Sequence, residues 1–162
     1  IPGRLQVAEI KEILASLIEE NISVKDIIYI FEKINDVIAF CDKKDLLKKL
    51  RISLSAQISS RYANLENVIY GYKLNTGIVK HLESYLDENN QLSCISKQKL
   101  KQIGSKIKKL AASMQLNRFI IFVPANVREL FNNIIKSYVN NVIVLAYEEV
   151  DEKFKAFIVD EI

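Results

Sequence analysis

Tryptophan is absent, proline and cysteine occur twice each, glycine four times, and histidine and methionine once. So few prolines and glycines leave no room for a flexible linker, so any two modules in the chain are expected to pack on each other. Two cysteines cannot build a disulfide scaffold. Cys41 and Cys94 also lack ligand-like spacing to each other or to His81, which reads as two buried free thiols in a reducing compartment. No apolar run approaches the ~20 residues of a membrane span. Ile1-Pro2-Gly3-Arg4 passes straight into an amphipathic pattern, with no signal peptide. A first residue of Ile rather than Met reads as a fragment of a longer chain, with room for a membrane-embedded part elsewhere.

What is present is globular: 49% of residues are hydrophobic and 27% charged, which excludes disorder. Lys and Arg number 23 against 20 Asp and Glu, an excess too small to imply nucleic acid by itself.

The hydrophobic rhythm changes near residue 67. Before it, spacing is helical. Val7, Ile10, Leu14, Leu17 and Ile18 share one face, Asn21-Ile22-Ser23 interrupts, and Ser23 with Asp26 reads as a capping box for a second helix carrying Ile27, Ile30, Phe31 and Ile34. Asp42 is placed to cap a third helix whose ridge is Leu46, Leu47, Leu50, Leu54 and Ile58. After residue 67, β-rich runs (Val68–Leu74, Phe119–Val123, Val142–Leu145, Phe154–Val159) alternate with helical patterns. Phe119–Val123, apolar on both faces, is expected to be central, and the last run, expected to be shorter, to lie at an edge. A helix through Val127, Leu130, Ile134 and Ile135 joins two such runs and predicts a parallel crossover. The expected class is α/β (α+β): a three-helix bundle over residues 1–66, then a compact α/β subdomain over 67–162 with a mixed sheet of about four strands.

Chemistry is hard to find. His81 has no serine, cysteine or carboxylate at motif spacing and reads as structural. Glu148, Glu149, Asp151 and Glu152 lack the alternating oxygens of a calcium loop and read as a solvated acidic turn. Gly104 belongs to no phosphate loop and reads as close helix packing, while the loop Pro124-Ala125-Asn126 lacks the glycines a phosphate needs. No enzyme, metal or cofactor is expected.

The strongest charge feature is a lysine-rich helix with Lys97, Lys99, Lys101, Lys106, Lys108 and Lys109, in a stretch without any acidic residue from Glu88 to Glu129. Its readings, in order, are a solvated face, a dock for an acidic protein surface, and a contact for nucleic acid or lipid. No interspersed aromatic residue supports base stacking.

Three ordered motifs carry a resemblance. They are Val7-Ala-Glu-Ile-Lys-Glu-Ile-Leu14 followed by Glu20-Asn-Ile-Ser-Val-Lys-Asp-Ile27, the helix from Leu50-Arg51 through Leu54 to Gln57-Ile58, and Val144-Leu-Ala-Tyr-Glu-Glu-Val150. Together they resemble the last two subdomains of the cytoplasmic domain of the bacterial type III secretion export-gate family, flagellar and virulence-associated members included. The sequence departs from the family pattern at Lys25, where arginine is usual, at Ala146, where serine is common, and at Asn75-Thr76, where Asp-Pro is frequent. The resemblance implies a non-enzymatic part of a membrane-anchored inner-membrane protein whose cytoplasmic parts assemble in a homo-oligomeric, typically nonameric, ring. That ring receives export substrates, chaperones and other export-apparatus proteins. It further implies Lys25, Asp26 and Arg51 as ring-interface candidates, and Lys97, Lys101, Lys108, Lys109, Glu148 and Glu149 as partner-docking candidates. The isolated chain is expected to be monomeric, because exposed ion pairs of this kind contribute only ~0–1 kcal/mol each. The alternative from another class is a nucleic-acid-binding module built on Lys97–Lys109.

Overall fold

A computed structural model describes residues 5–87, 97–114 and 118–162. Four helices come first: α1 (Val7–Glu19), α2 (Ile27–Ile38), α3 (Lys43–Ser53) and α4 (Ser55–Tyr62). The rest alternates as β1 (Val68–Lys73), α5 (Thr76–Asp87), α6 (Lys97–Ser113), β2 (Phe119–Val123), α7 (Ala125–Lys136), β3 (Val142–Ala146), a 3-10 turn (Tyr147–Glu149) and β4 (Lys155–Glu161).

Local chemistry sets the helix limits. The Gln6 N–H donates to the Glu9 carboxylate at 2.6 Å and fixes the start of α1. Its end is a Schellman turn: Asn21 takes φ 61°, Ile22 N–H donates to Leu17 O at 2.8 Å, and Asn21 N–H to Ile18 O at 2.9 Å. That turn drives Ile22 into the core and leaves Glu20 facing inward.

Two sequence expectations are corrected here. Asp26, not Ser23, is the N-cap of α2, accepting the Tyr29 N–H at 3.1 Å, while Ser23 Oγ accepts only the Lys25 N–H. The ridge from Leu46 to Ile58 is not one helix but two, broken at Leu54, whose ψ of 15° ends α3. The Ser53 hydroxyl bonds back to Leu50 O at 2.8 Å beside that break, the local competition with the helical ladder that favours a bend. The expected bundle of three helices therefore has four. Asp42 does hold the N-cap position of α3, without a side-chain bond. A cap by Ser96 for α6 falls outside the described residues.

The four strands form one sheet in the order β3-β2-β1-β4. The recorded pairings β1–β2, β1–β4 and β2–β3 are each parallel, where a mixed sheet was the expectation. The reason is the last connection. Residues 147–154 do not hairpin back but carry the chain from the β3 edge to the opposite edge, so β4 starts level with β1, Val68 opposite Lys155. β2 lies inside the sheet and β4 at an edge, as read from the sequence. With seven residues, however, β4 is the longest strand rather than a short one.

Parallel strands are buried on both faces. One face sends Phe119, Ile121, Val123, Val142 and Val144 against Leu82, Leu100, Ile107, Phe131 and Ile135 of α5–α7. The other sends Ile69, Phe122 and Leu145 against Leu17, Ile30, Ile34, Leu50, Leu54 and Ile58 of α1–α4. The molecule is thus layered as helices, sheet, helices. The second core contains residues from both sides of position 67. Gly71 permits this contact, since a Cβ there would stand 2.6 Å from Phe122.

Candidate functional site

Four charged side chains, none adjacent in sequence, meet between the helical layer and the sheet. Glu20 comes from the turn after α1, Arg51 from α3, Arg128 from the first turn of α7, and Glu149 from the 3-10 turn. Arg51 forks onto Glu149, Nε to Oε1 at 2.6 Å and Nη2 to Oε2 at 2.9 Å, and its Nη1 reaches Glu20 Oε2 at 2.9 Å. Arg128 forks onto Glu20 through Nη1 and Nη2, the latter at 3.0 Å, and its Nε lies 3.5 Å from Glu149 Oε1. The result is an alternating ring of two acids and two bases (a clasp) linking both modules.

Side-chain exposure is 3% for Arg51, 2% for Glu149, 4% for Arg128 and 15% for Glu20. Charges so buried are tolerable only when paired and hydrogen-bonded. Remaining acceptors are used as well: Ala146 N–H donates to Glu149 Oε2 at 3.2 Å, and Ser59 Oγ donates to Glu149 O while accepting the Asp151 N–H. Among the described residues no buried side-chain nitrogen or oxygen lacks a partner. Burial alone would raise the Glu20 pKa, but Arg51 and Arg128 outweigh it and hold the carboxyl below its ordinary range. Burial alone would lower that of Arg51, and the hydrogen bonds and charges of Glu149 and Glu20 reverse the sign.

Two candidates named from sequence are thereby corrected. Arg51, read as a ring contact, and Glu149, read as a docking contact, are locked to each other inside the molecule. Their burial removes them from any surface of this fold. Arg128 and Glu20 were missed. A signal for both arginines was present: Arg51 lies three and four residues from Leu54 and Leu47, and Arg128 three residues from Phe131, so each sits on an apolar helical stripe where a lone charge needs a partner.

The other candidates are dispersed. Lys25 and Asp26 are exposed at the start of α2. Lys101, Lys106, Lys108 and Lys109 are exposed on α6, Lys106 Nζ donating to Glu161 O at 3.2 Å; the side chain of Lys97 falls outside the described residues. Glu148 is exposed and accepts the Ala125 N–H at 3.0 Å, which caps α7. Gly104 does pack closely, but against the segment after α7 rather than another helix, a Cβ there meeting the Tyr138 Cβ at 3.0 Å. His81 is exposed, and Cys41 is a half-buried free thiol, less covered than expected; Cys94 falls outside the described residues. Among the described residues no group of three or more His, Cys, Asp or Glu could hold a metal ion, and no helix is long and apolar enough to cross a membrane.

Comparison with known proteins gives a consistent picture. A sequence profile described as the FHIPEP family matches residues 1–155. Flagellar biosynthesis protein FlhA of Bacillus subtilis is 24% identical over 157 residues, covering 93% of this chain and 23% of FlhA. Among solved structures, Shigella flexneri MxiA superposes with a TM-score of 0.85 at 22% identity, covering 98% of this chain and 51% of that one. The nonameric SctV-C of EPEC superposes at 0.80 with 23% identity, covering 98% and 49%. The nonameric EscV cytosolic domain of a type III secretion system does so at 0.68 with 25% identity, covering 98% and 48%. The chain spans about half of each of these structures and about a quarter of the curated flagellar relative.

Proposed function

The chain belongs to the FHIPEP family, and from that premise we propose that it is part of the non-enzymatic cytoplasmic scaffold of a type III secretion export gate. The parent protein is anchored in the bacterial inner membrane, its cytoplasmic parts form a homo-oligomeric ring of nine, and the ring docks export substrates, chaperones or other apparatus proteins. The observation that carries the reading is the continuity of the family match through both modules. Support for the ring comes from two structural relatives described as nonameric, and support for docking from a Chlamydia pneumoniae relative, CdsV, solved in complex with a second protein, CdsO.

The two modules divide the work. The helical layer supplies lateral ring contacts, with exposed Lys25 and Asp26 as candidates. The α/β layer presents Lys101, Lys108 and Lys109 of α6 on one flank and Glu148 on another to partners of opposite charge. Such exposed pairs contribute ~0–1 kcal/mol each, enough to set register and partner choice but not to hold an isolated fragment in a ring. The clasp keeps the two layers at a fixed angle, so a contact made by one is felt by the other.

The test compares this chain with a longer version restoring the preceding cytoplasmic region, by sedimentation velocity and by pulldown with chaperone–substrate complexes. Rings and capture by the longer protein, with this chain monomeric, are the expected result. Tight, salt-sensitive binding of RNA or DNA that disappears when Lys101, Lys108 and Lys109 become glutamate would overturn the reading in favour of a nucleic-acid module.

A further inference from the structure

One ridge of α7 runs along the outer edge of β3. Arg128, Asn132 and Lys136 follow at four-residue intervals and so line up on one flank of that helix. In the strand, Asn141 O accepts the Phe119 N–H at 2.9 Å, so Ile143 and Leu145 also turn their main chain toward β2. Val142, Val144 and Ala146 turn theirs outward. Two of those outward groups are taken within the chain: Val144 O accepts Arg128 Nη1 at 3.4 Å, and the Ala146 N–H donates to Glu149 Oε2. The Val142 C=O and the Val144 N–H have no recorded partner in the described residues, although Val142 is 5% exposed and Val144 2%. Main-chain groups so covered are almost always paired.

A cavity of about 110 Å³ lies against this stretch, walled by Val142, Val144, Asn132, Glu20 and Arg51. Glu19 and Lys136, both exposed, stand at its mouth. Asn132 is only 4% exposed, and its side-chain amide has no recorded hydrogen bond. Among the described residues no sealed side-chain nitrogen or oxygen goes unpaired, so that remaining exposure is at the amide, which faces the cavity. The charged walls already satisfy each other. Glu20 accepts from both arginines, and Arg51 gives Nε and Nη2 to Glu149 and Nη1 to Glu20. Glu19 and Glu20 balance Arg51 and Lys136, so neither a cation nor an anion meets a net opposite charge there. What remains free is neutral: one amide, one main-chain donor and one main-chain acceptor.

We propose that this slot binds a primary carboxamide. The ligand N–H donates to Val142 O, its carbonyl accepts from the Val144 N–H, and the Asn132 amide turns to offer it a donor or an acceptor. A carboxylate would set an acceptor against Val142 O, and an ammonium would set a donor against the Val144 N–H, each leaving a buried group unpaired. The volume is several times the ~15 Å³ that one water needs, which admits the amide with a short aliphatic stem. A free small amide carries that group, and so does a glutamine side chain of a partner protein. The site goes beyond the export-gate reading and does not rest on it, since it is complete within one chain.

The probe is propionamide, titrated against the whole chain by nitrogen-15 correlation spectroscopy beside propionate and propylammonium. So small a ligand is expected to bind with a dissociation constant on the order of millimolar. It should bind roughly tenfold tighter than either ion, each of which leaves one buried group unpaired. Saturable shifts should centre on the Val144 N–H and the Asn132 side-chain amide. Asn132→Leu, of similar size, should remove the saturable shift at Val144 while the rest of the spectrum reports an unchanged fold. The comparison of the three ligands holds whether or not that variant folds. N-acetylglutamine methylamide binding roughly tenfold tighter than propionamide would place the amide on a protein partner; equal or weaker binding would place it on a free small molecule. Equal affinity for the amide and both ions, or shifts that never saturate, would overturn the proposal. So would saturable binding undiminished in a folded Asn132→Leu.

Discussion

Replacing Arg51 by methionine leaves Glu149 buried with one cation, the more distant Arg128, and the Ala146 N–H. Breaking a buried ion pair from one side costs about 3–5 kcal/mol, most of it from the charge left behind. Urea denaturation of Arg51→Met should therefore show a loss near the lower end of that range, with Arg128 moderating it. Arg51→Met with Glu149→Met should recover part of the loss, giving a coupling above about 1 kcal/mol in a double-mutant cycle. An exposed pair would give neither result. The clasp also sets an acid limit. Glu20 has its carboxyl held below its ordinary value of about 4.5, so between the two values the unfolded chain binds more protons than the folded one. Its contribution is complete above about pH 4.5 and is lost as pH falls through the depressed value. Denaturation midpoints between about pH 5 and pH 3 should drop for the natural chain and fall less for Glu20→Gln. At this scale the sequence was partly legible. It shows arginines 51 and 128 on apolar stripes, but not that their partners are Glu20 and Glu149, because the fold alone brings together positions so distant along the chain.

Elements were more legible than residues, since each is specified by its own neighbours. The apolar runs at Phe119–Val123 and Val142–Ala146 became strands because an uninterrupted β-branched and aromatic stretch suits a sheet buried on both faces. What failed was chemistry decided by a hydroxyl or a carboxylate a few residues away. Ser23 and Asp26 both satisfy N-cap preferences, and only the backbone path after Ile22 selects Asp26. Asp26→Ala is expected to cost about 1 kcal/mol, read as a lower thermal midpoint, while Ser23→Ala costs a few tenths. Equal losses would return the cap to Ser23. The direction of β4 was illegible for another reason. A polar stretch such as Tyr147–Phe154 reads equally as a hairpin or a crossover. The choice falls to Glu149, which needs Arg51, and to Ser59, which takes the Asp151 N–H and holds the segment across the sheet.

At the scale of the whole molecule, the division at residues 66 and 67 separates two rhythms of sequence but runs through a shared core. Ile69, Phe122 and Leu145 complete the packing of Leu17, Ile30, Leu50 and Ile58, and two forks of the clasp, Arg51 to Glu149 and Arg128 to Glu20, cross the same line. A unit of some 60 residues is marginal even with its whole core, burying only about 60% of its extended surface. Residues 1–66 made alone lose the sheet face and keep a buried-type arginine without its acid from the other module. We expect that fragment to remain helical by far-ultraviolet circular dichroism yet to unfold without cooperativity and to bind a hydrophobic dye, the behaviour of a collapsed chain with unfixed packing. Mixing it with residues 67–162 should restore a cooperative transition, and Arg51→Met in the first fragment should weaken that recovery. A sharp, dye-free unfolding transition in residues 1–66 alone would mean that the helical layer is a domain in its own right. The clasp would then fasten two finished bodies instead of completing one.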